Sequence, residues 1–161
     1  GPQNPHGLKM TFATDGERIR FKVTIPEHVH GWSHLSHGGI TTTILDESMA
    51  WACIYFRHQW PLTRNISVQF KKPVFVGQSL TGYSWVGEEP KERHLMLHAE
   101  LFNEQGDLVA ASEGDFAPFE TEDFARLNLV EKSMLRTLET MFSSEQPYQQ
   151  NNPSPCSSDG D

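Results

Sequence analysis

Cysteine is scarce in this chain: two residues in 161, Cys53 and Cys156. Cys53 falls in a segment that reads as helix and Cys156 in a polar C-terminal stretch. Two such distant thiols make neither a disulfide framework nor a zinc site. Basic residues are also few, with thirteen Lys and Arg against twenty-one Asp and Glu and a net charge of −8. That balance argues against nucleic acid as a partner, because such binding needs positive surface to displace phosphate counterions. It leaves room for a local basic patch facing a phosphorylated ligand. No apolar run is long enough to cross a membrane and no signal-peptide pattern is present. A soluble protein of a reducing, cytoplasmic compartment is therefore expected. Internal repeats are missing as well.

What the chain does contain is 37% hydrophobic residues, ten of them Phe, enough for one domain with a sizeable core. Residues 143–161 are rich in Gln, Asn, Pro and Ser and read as a disordered tail, which leaves 4–142 as the folded domain. Ile19, Phe21, Val23 and Ile25 alternate with polar residues, so 17–26 reads as a strand with one buried face. A His- and Gly-containing loop follows, from Pro26 to Ser36. From Gly39 to about Phe56 the pattern is helical. Ile40, Ile44, Leu45, Met49, Ala50, Trp51, Ala52 and Ile54 cover nearly every face, and a helix apolar all round is expected to be buried. Pro61 prevents its continuation. Strands are predicted through Ile66–Phe70, Leu80–Val86, Arg93–Phe102 and Leu108–Phe119, with a hairpin turn at 103–107. The layout of strand, buried helix and four strands is that of an α+β protein, one long helix enclosed by an antiparallel sheet. A second helix is predicted over 129–142, capped by Asn128 with Glu131 as its capping-box partner. Its stripe of Val130, Met134, Leu135, Leu138, Met141 and Phe142 suits docking on the sheet.

The segment His37-Gly38-Gly39-Ile40-Thr41-Thr42-Thr43-Ile44-Leu45-Asp46-Glu47 carries the chemistry. A glycine turn opens the helix, and free backbone N–H groups at a helix start can hold a developing oxyanion. Asp46 follows nine residues after His37. A carboxylate there can act as nucleophile or general base. The competing reading is an ordinary helix aspartate bonded by Thr42 or Thr43. The all-round apolar helix weighs against it, because an unpaired buried charge is costly. Glu47 lies about 100° further round the helix and cannot share one pocket squarely with Asp46, so it is expected to be structural or interfacial. His28, His30, His34 and His37 form a metal-like cluster, ranked below a loop-lining role. Arg57, Arg64, Lys71 and Lys72 are candidate phosphate contacts, with solvated surface charge as the alternative. Trp32, Trp51 and Phe56 are candidate tunnel or core residues.

Together these residues resemble the hotdog-fold thioesterases, and within them the PaaI-like and THEM-type acyl-CoA thioesterases. Three more segments carry the resemblance, which covers roughly residues 4–119. Asn4-Pro5-His6-Gly7-Leu8 is similar to the family's Asn-Pro-x-Gly-Leu opening, Leu45-Asp46-Glu47 to its helix acid, and Val68-Gln69-Phe70-Lys71-Lys72-Pro73-Val74 to its first strand after the helix. The resemblance implies a sheet wrapped around the central helix. It also implies sheets paired edge to edge in a homodimer or a dimer-of-dimers tetramer, with active sites at the interface. By analogy Asp46 is catalytic, Gly38 is the oxyanion donor with Gly39 in reserve, and His37 orients the loop. Thr63 matches a Ser or Thr that relatives present from the other subunit, the alternative being a plain strand threonine. Arg64, Lys71, Lys72 and Trp32 are expected to contact substrate, and no dissociable cofactor or metal is needed. Many relatives carry an Asn or Gln shortly before the His-Gly-Gly. Here that stretch is His30-Gly31-Trp32-Ser33-His34-Leu35-Ser36, with no amide. The expected function is hydrolysis of an acyl-CoA to free acid and coenzyme A. A non-catalytic acyl-CoA-binding module on the same fold is the alternative, and a hotdog dehydratase or hydratase ranks last.

Overall fold

The computed structural model describes residues 9–29 and 32–143. One long helix interrupts a run of six strands: β1 (Met10–Thr14), β2 (Ile19–Thr24), α1 (Gly38–Arg57), β3 (Trp60–Phe70), β4 (Ser79–Val86), β5 (Leu95–Phe102) and β6 (Leu108–Phe119), followed by α2 (Thr121–Arg126) and α3 (Lys132–Ser143). The strands form one sheet in the order β1-β2-β4-β5-β6-β3, and every neighbouring pair is antiparallel. α1 packs across one face of it.

Alternation in the sequence becomes a two-sided sheet. In β5, Leu95, Leu97, Ala99 and Leu101 are buried against α1, while Met96, His98, Glu100 and Phe102 are half-exposed on the other face. Phe21, Leu80 and Phe116 join them, and Ile44, Leu45, Met49, Ala52 and Cys53 of α1 complete the core. Gly82 is required by packing, since it faces Phe21 across the β2–β4 ladder. A Cβ on Gly82 would lie 1.9 Å from the Phe21 ring, so the ring occupies the space a side chain would take. Ser84 Oγ donates to the Ser48 carbonyl at 2.8 Å, tying α1 to β4 at a buried point.

The strand, helix and strand predictions hold in type and order from Ile19 to Phe119, with β3 beginning at Trp60 and not at the predicted Ile66, and the 103–107 turn closes by Asn103 N–H donating to the Asp107 carbonyl at 3.0 Å. Four further details differ. β1 is a strand where no strand is predicted; at five residues its alternation is too short to stand out. α1 is not buried all round: Gly39 and Thr43 are exposed, and Thr42, Asp46, Glu47 and Ala50 half-exposed, because β1 and β3 stop short of closing over that line. α2 intervenes before the last helix. Asn128 does not cap that helix: it takes a left-handed φ of 53° and its N–H closes α2 on the Ala125 carbonyl. α3 starts at Lys132, where Glu131 presents its carbonyl to Met134 and Leu135. Leu135 packs with Ile54, Trp60 and Phe124, whereas Met134 is 52% exposed. The Asn4–Leu8 motif, the side chains of Leu138, Met141 and Phe142, and the tail beyond Ser143 lie outside what is described.

Candidate active site

The loop after β2 ends at His37, whose backbone is extended (φ −64°, ψ 137°) and whose ring caps α1. His37 Nδ1 accepts from Gly39 N–H at 2.9 Å. The Ile40 N–H donates to the His37 carbonyl at 2.9 Å. Gly38, at the first helical position, has an N–H that the helix cannot satisfy, on an exposed residue. The two glycines are therefore unequal: the Gly39 donor is engaged and the Gly38 donor points out of the helix start. Gly38 does not need its missing side chain for space, since a Cβ there would meet the Phe70 ring at an ordinary 3.5 Å.

Two turns on, Asp46 Oδ1 accepts from Thr63 Oγ1 at 2.7 Å. The local threonines are occupied elsewhere. Thr42 Oγ1 donates to the Gly38 carbonyl at 3.0 Å and Thr43 Oγ1 to the Gly39 carbonyl at 2.8 Å. So the aspartate is held from across the fold and not by its own helix. Thr63 meets the Asp46 of its own chain. A register shift in β3 allows this: Thr63 pairs with Phe116 and Asn65 with Asp115, leaving Arg64 as the extra residue of a bulge. Phe116 is on the buried face, and its ladder partner Thr63 is turned with it toward α1. Glu47 is half-buried beside the pair. Burial pushes its carboxyl up from the ordinary range, partly offset by a hydrogen bond from Trp51 and raised slightly further by Asp46.

A groove of about 480 Å³ collects five of the predicted site residues: Trp32, His37, Gly38, Lys71 and Lys72. Leu35, Val74 and Phe70 supply its apolar wall. Lys72 Nζ is 3.1 Å from Asp107 Oδ2. Arg64 is not in this groove; its Nε donates to the Arg93 carbonyl at 2.9 Å. Arg57 pairs with Glu89. Trp32 is 84% exposed, which places it at the groove and not in the core, whereas Trp51 and Phe56 pack against the core. Among the described residues no set of three or more His, Cys, Asp or Glu is arranged to hold a metal, and His30 is not among them. No helix among them is long and apolar enough to cross a membrane. Phe70, like Leu35 and Val74, is a groove-lining residue that sequence reasoning missed. Alternation with Ile66 and Val68 marks it as core, and only its position facing Gly38 separates it from them.

No curated protein matches the chain significantly. Residues 35–110 match the model of the thioesterase superfamily, a span that includes His37, both glycines, Asp46 and Thr63. Solved structures repeat the fold. The E. coli PaaI protein from the phenylacetic acid degradation operon superposes with a TM-score of 0.61 at 21% identity, over 67% of this chain and 82% of that one. Zebra fish thioesterase superfamily member 2 gives 0.61 at 16% identity, over 69% and 81%. A hypothetical thioesterase protein of Streptococcus pneumoniae, determined with coenzyme A, gives 0.62 at 12% identity, over 70% and 87%. The match to the thioesterase superfamily model spans just under half of the chain, and the chain has the hotdog fold of these structures: a six-stranded antiparallel sheet, one long helix against it, and two short helices added at the C-terminal end.

Proposed function

We propose that this protein is an acyl-CoA thioesterase whose working unit contains at least two copies of the chain. The observation that carries the reading is the Asp46 carboxylate, half-exposed on α1 and held by Thr63 at 2.7 Å. The match of residues 35–110 to the thioesterase superfamily model and the coenzyme A bound to the streptococcal structure of the same fold support the substrate class. In the reaction the thioester oxygen accepts from Gly38 N–H, and that bond strengthens as negative charge develops. Asp46 either removes a proton from an attacking water or attacks the carbonyl carbon itself to give an anhydride that water then opens. The C–S bond breaks with its electron pair on sulfur, and coenzyme A leaves as a thiolate. No dissociable cofactor enters these steps, and Lys71, which lines the groove, meets a phosphate of the coenzyme in this reading.

One chain does not bring the two halves together. Gly38 and Asp46 are eight residues apart on one helix, roughly 12 Å along its axis at about 1.5 Å per residue. A single carbonyl cannot touch both. β3 supplies the remedy. It is an eleven-residue edge strand, its free side unpaired among the described residues, and such an edge is a template for another strand. Antiparallel pairing with its own copy about a central two-fold sets the Thr63 end of one strand beside the Phe70 end of the other. The Asp46–Thr63 pair of one subunit then faces Gly38 of its neighbour. Whether such dimers pair again into tetramers is a further step on the same interface logic.

Asp46→Asn tests the mechanism. The variant keeps its shape and a hydrogen-bond partner for Thr63, and is expected to lose nearly all thiol release from acyl-CoA. Undiminished turnover would refute the assignment. A second reading, a binding module without catalysis, has one observation behind it: no amide lies in residues 32–36 to orient a water, and Thr63 is the side chain seen holding Asp46. Steady thiol release by the native protein across a panel of acyl-CoAs rejects that module; tight binding with no release rejects the enzyme.

A further inference from the structure

The inner face of β3 is a line of side chains between the two halves of the site. Its ladder partners show which residues face inward: Ile66 pairs with Gly114, Val68 with Ser112 and Phe70 with Ala110, all on the side of α1. At one end of the line Thr63 holds Asp46. At the other the Phe70 ring faces Gly38, its Cζ and Cε1 3.5 and 3.6 Å from where a Cβ would stand. Ile66 and Val68 are half-buried against the core, but Phe70 is 56% exposed. A large aromatic left open on an edge strand, facing the residue that carries the free N–H, is not explained by core packing.

We propose that Phe70 is the specificity-determining residue of the acyl site. This rests on the thioesterase reading. A thioester oxygen bound at Gly38 N–H places the carbonyl carbon and its first substituent beside the ring. Of the two substituents, the acyl carbon suits this wall better. Phe70, Leu35, Val74 and Pro73 are apolar and continuous with Val68 and Ile66, whereas the coenzyme side carries phosphates that belong with Lys71 and water. The flat ring admits a linear methylene chain alongside it and leaves little room for a second carbon on the α-position. Phe70 therefore discriminates against α-branched acyl groups.

The test compares butyryl-CoA with isobutyryl-CoA, which differ only in branching at the α-carbon, by thiol release with native protein, Phe70→Ala and Phe70→Leu. The native protein is expected to prefer butyryl-CoA. Phe70→Ala is expected to raise the isobutyryl-to-butyryl ratio of kcat/KM by about 10-fold or more, the usual effect of opening an apolar pocket by a few carbons. Phe70→Leu should fall between. The ring is more than half exposed, so both variants should fold, and far-UV circular dichroism checks that they do. A ratio within twofold of native in Phe70→Ala overturns the proposal. So does an equal loss on both substrates, which would mean that the ring orders the donor or the subunit interface. Absence of thiol release by the native protein from both substrates sinks the thioesterase reading itself.

Discussion

Replacing Gly38 by proline removes one hydrogen-bond donor and, by the geometry of this helix start, almost nothing else. Proline lacks an N–H and fixes φ near −65°. At the first helical position neither property is harmful, because that N–H has no partner in the helix and the fixed φ is already helical. The residue before a proline must be extended, and His37 already is, at φ −64° and ψ 137°. The His37 cap uses the Gly39 N–H, which proline at 38 does not touch. Thermal stability should therefore stay within a few degrees of native. Catalysis should not: loss of one oxyanion donor raises the barrier by about 3–4 kcal/mol, or 10²–10³ in kcat. Gly39 cannot take over while its N–H is bound to the imidazole. Gly38→Ala is the control, since it keeps the N–H and its Cβ meets Phe70 at an ordinary contact distance. The assay is kcat for thiol release beside a melting curve for each variant. Full turnover in a folded Gly38→Pro protein would refute the donor assignment, and equal losses in the proline and alanine variants would point to backbone freedom as the reason for glycine.

Two further predictions concern the acids. Thr63→Val keeps the shape of an exposed strand residue but removes the hydroxyl that holds Asp46; hydrogen bonds to charged groups are worth about 1.5–3 kcal/mol, so kcat should fall roughly 10- to 100-fold with little change in Tm, and an unaffected kcat would make Thr63 a plain strand residue. Glu47 is pushed above its ordinary value of 4.5, chiefly by burial. It binds its proton more tightly folded than unfolded, so its favourable contribution is complete below pH 4.5 and is lost as pH rises through the raised value. Glu47→Gln does not ionise. It should melt higher than native at neutral pH and at the same temperature near pH 4, and the reverse order would show that the Glu47 charge is stabilised in the fold.

Much of this fold is legible from local pattern because its elements are long and strongly periodic. β6 covers the predicted Leu108–Phe119, and α1 differs from its predicted span by a residue at each end. What pattern does not show is how far the sheet closes. The apolar residues of α1 suggest burial on every side, yet the line through Gly39, Thr43 and Asp46 is open, since closure depends on where β1 and β3 end in space. The bulge in β3 is equally hidden. Nothing in Leu62-Thr63-Arg64-Asn65 announces the shift, but it decides that Thr63 turns to Asp46 and that Arg64 binds the Arg93 carbonyl away from Lys71. The candidate acid Asp46 is thus readable as a residue type at a spacing, and its partner Thr63 is readable only as a fold.

The same limit sharpens the role of His37. From the sequence His37 is expected to orient the loop, ahead of a role as proton donor to the departing thiolate. In the structure its Nδ1 is an acceptor for Gly39 N–H, so a neutral ring carries its proton on Nε2. A thiolate leaves without help near neutral pH, so no proton is required of the ring. What the reaction does require is a donor that remains free, and two adjacent N–H groups at a helix start compete for any acceptor nearby. By taking the Gly39 N–H for itself, the imidazole leaves Gly38 as the group that faces the groove. In the proposed reaction the histidine acts through the choice of donor, and it does so before substrate arrives.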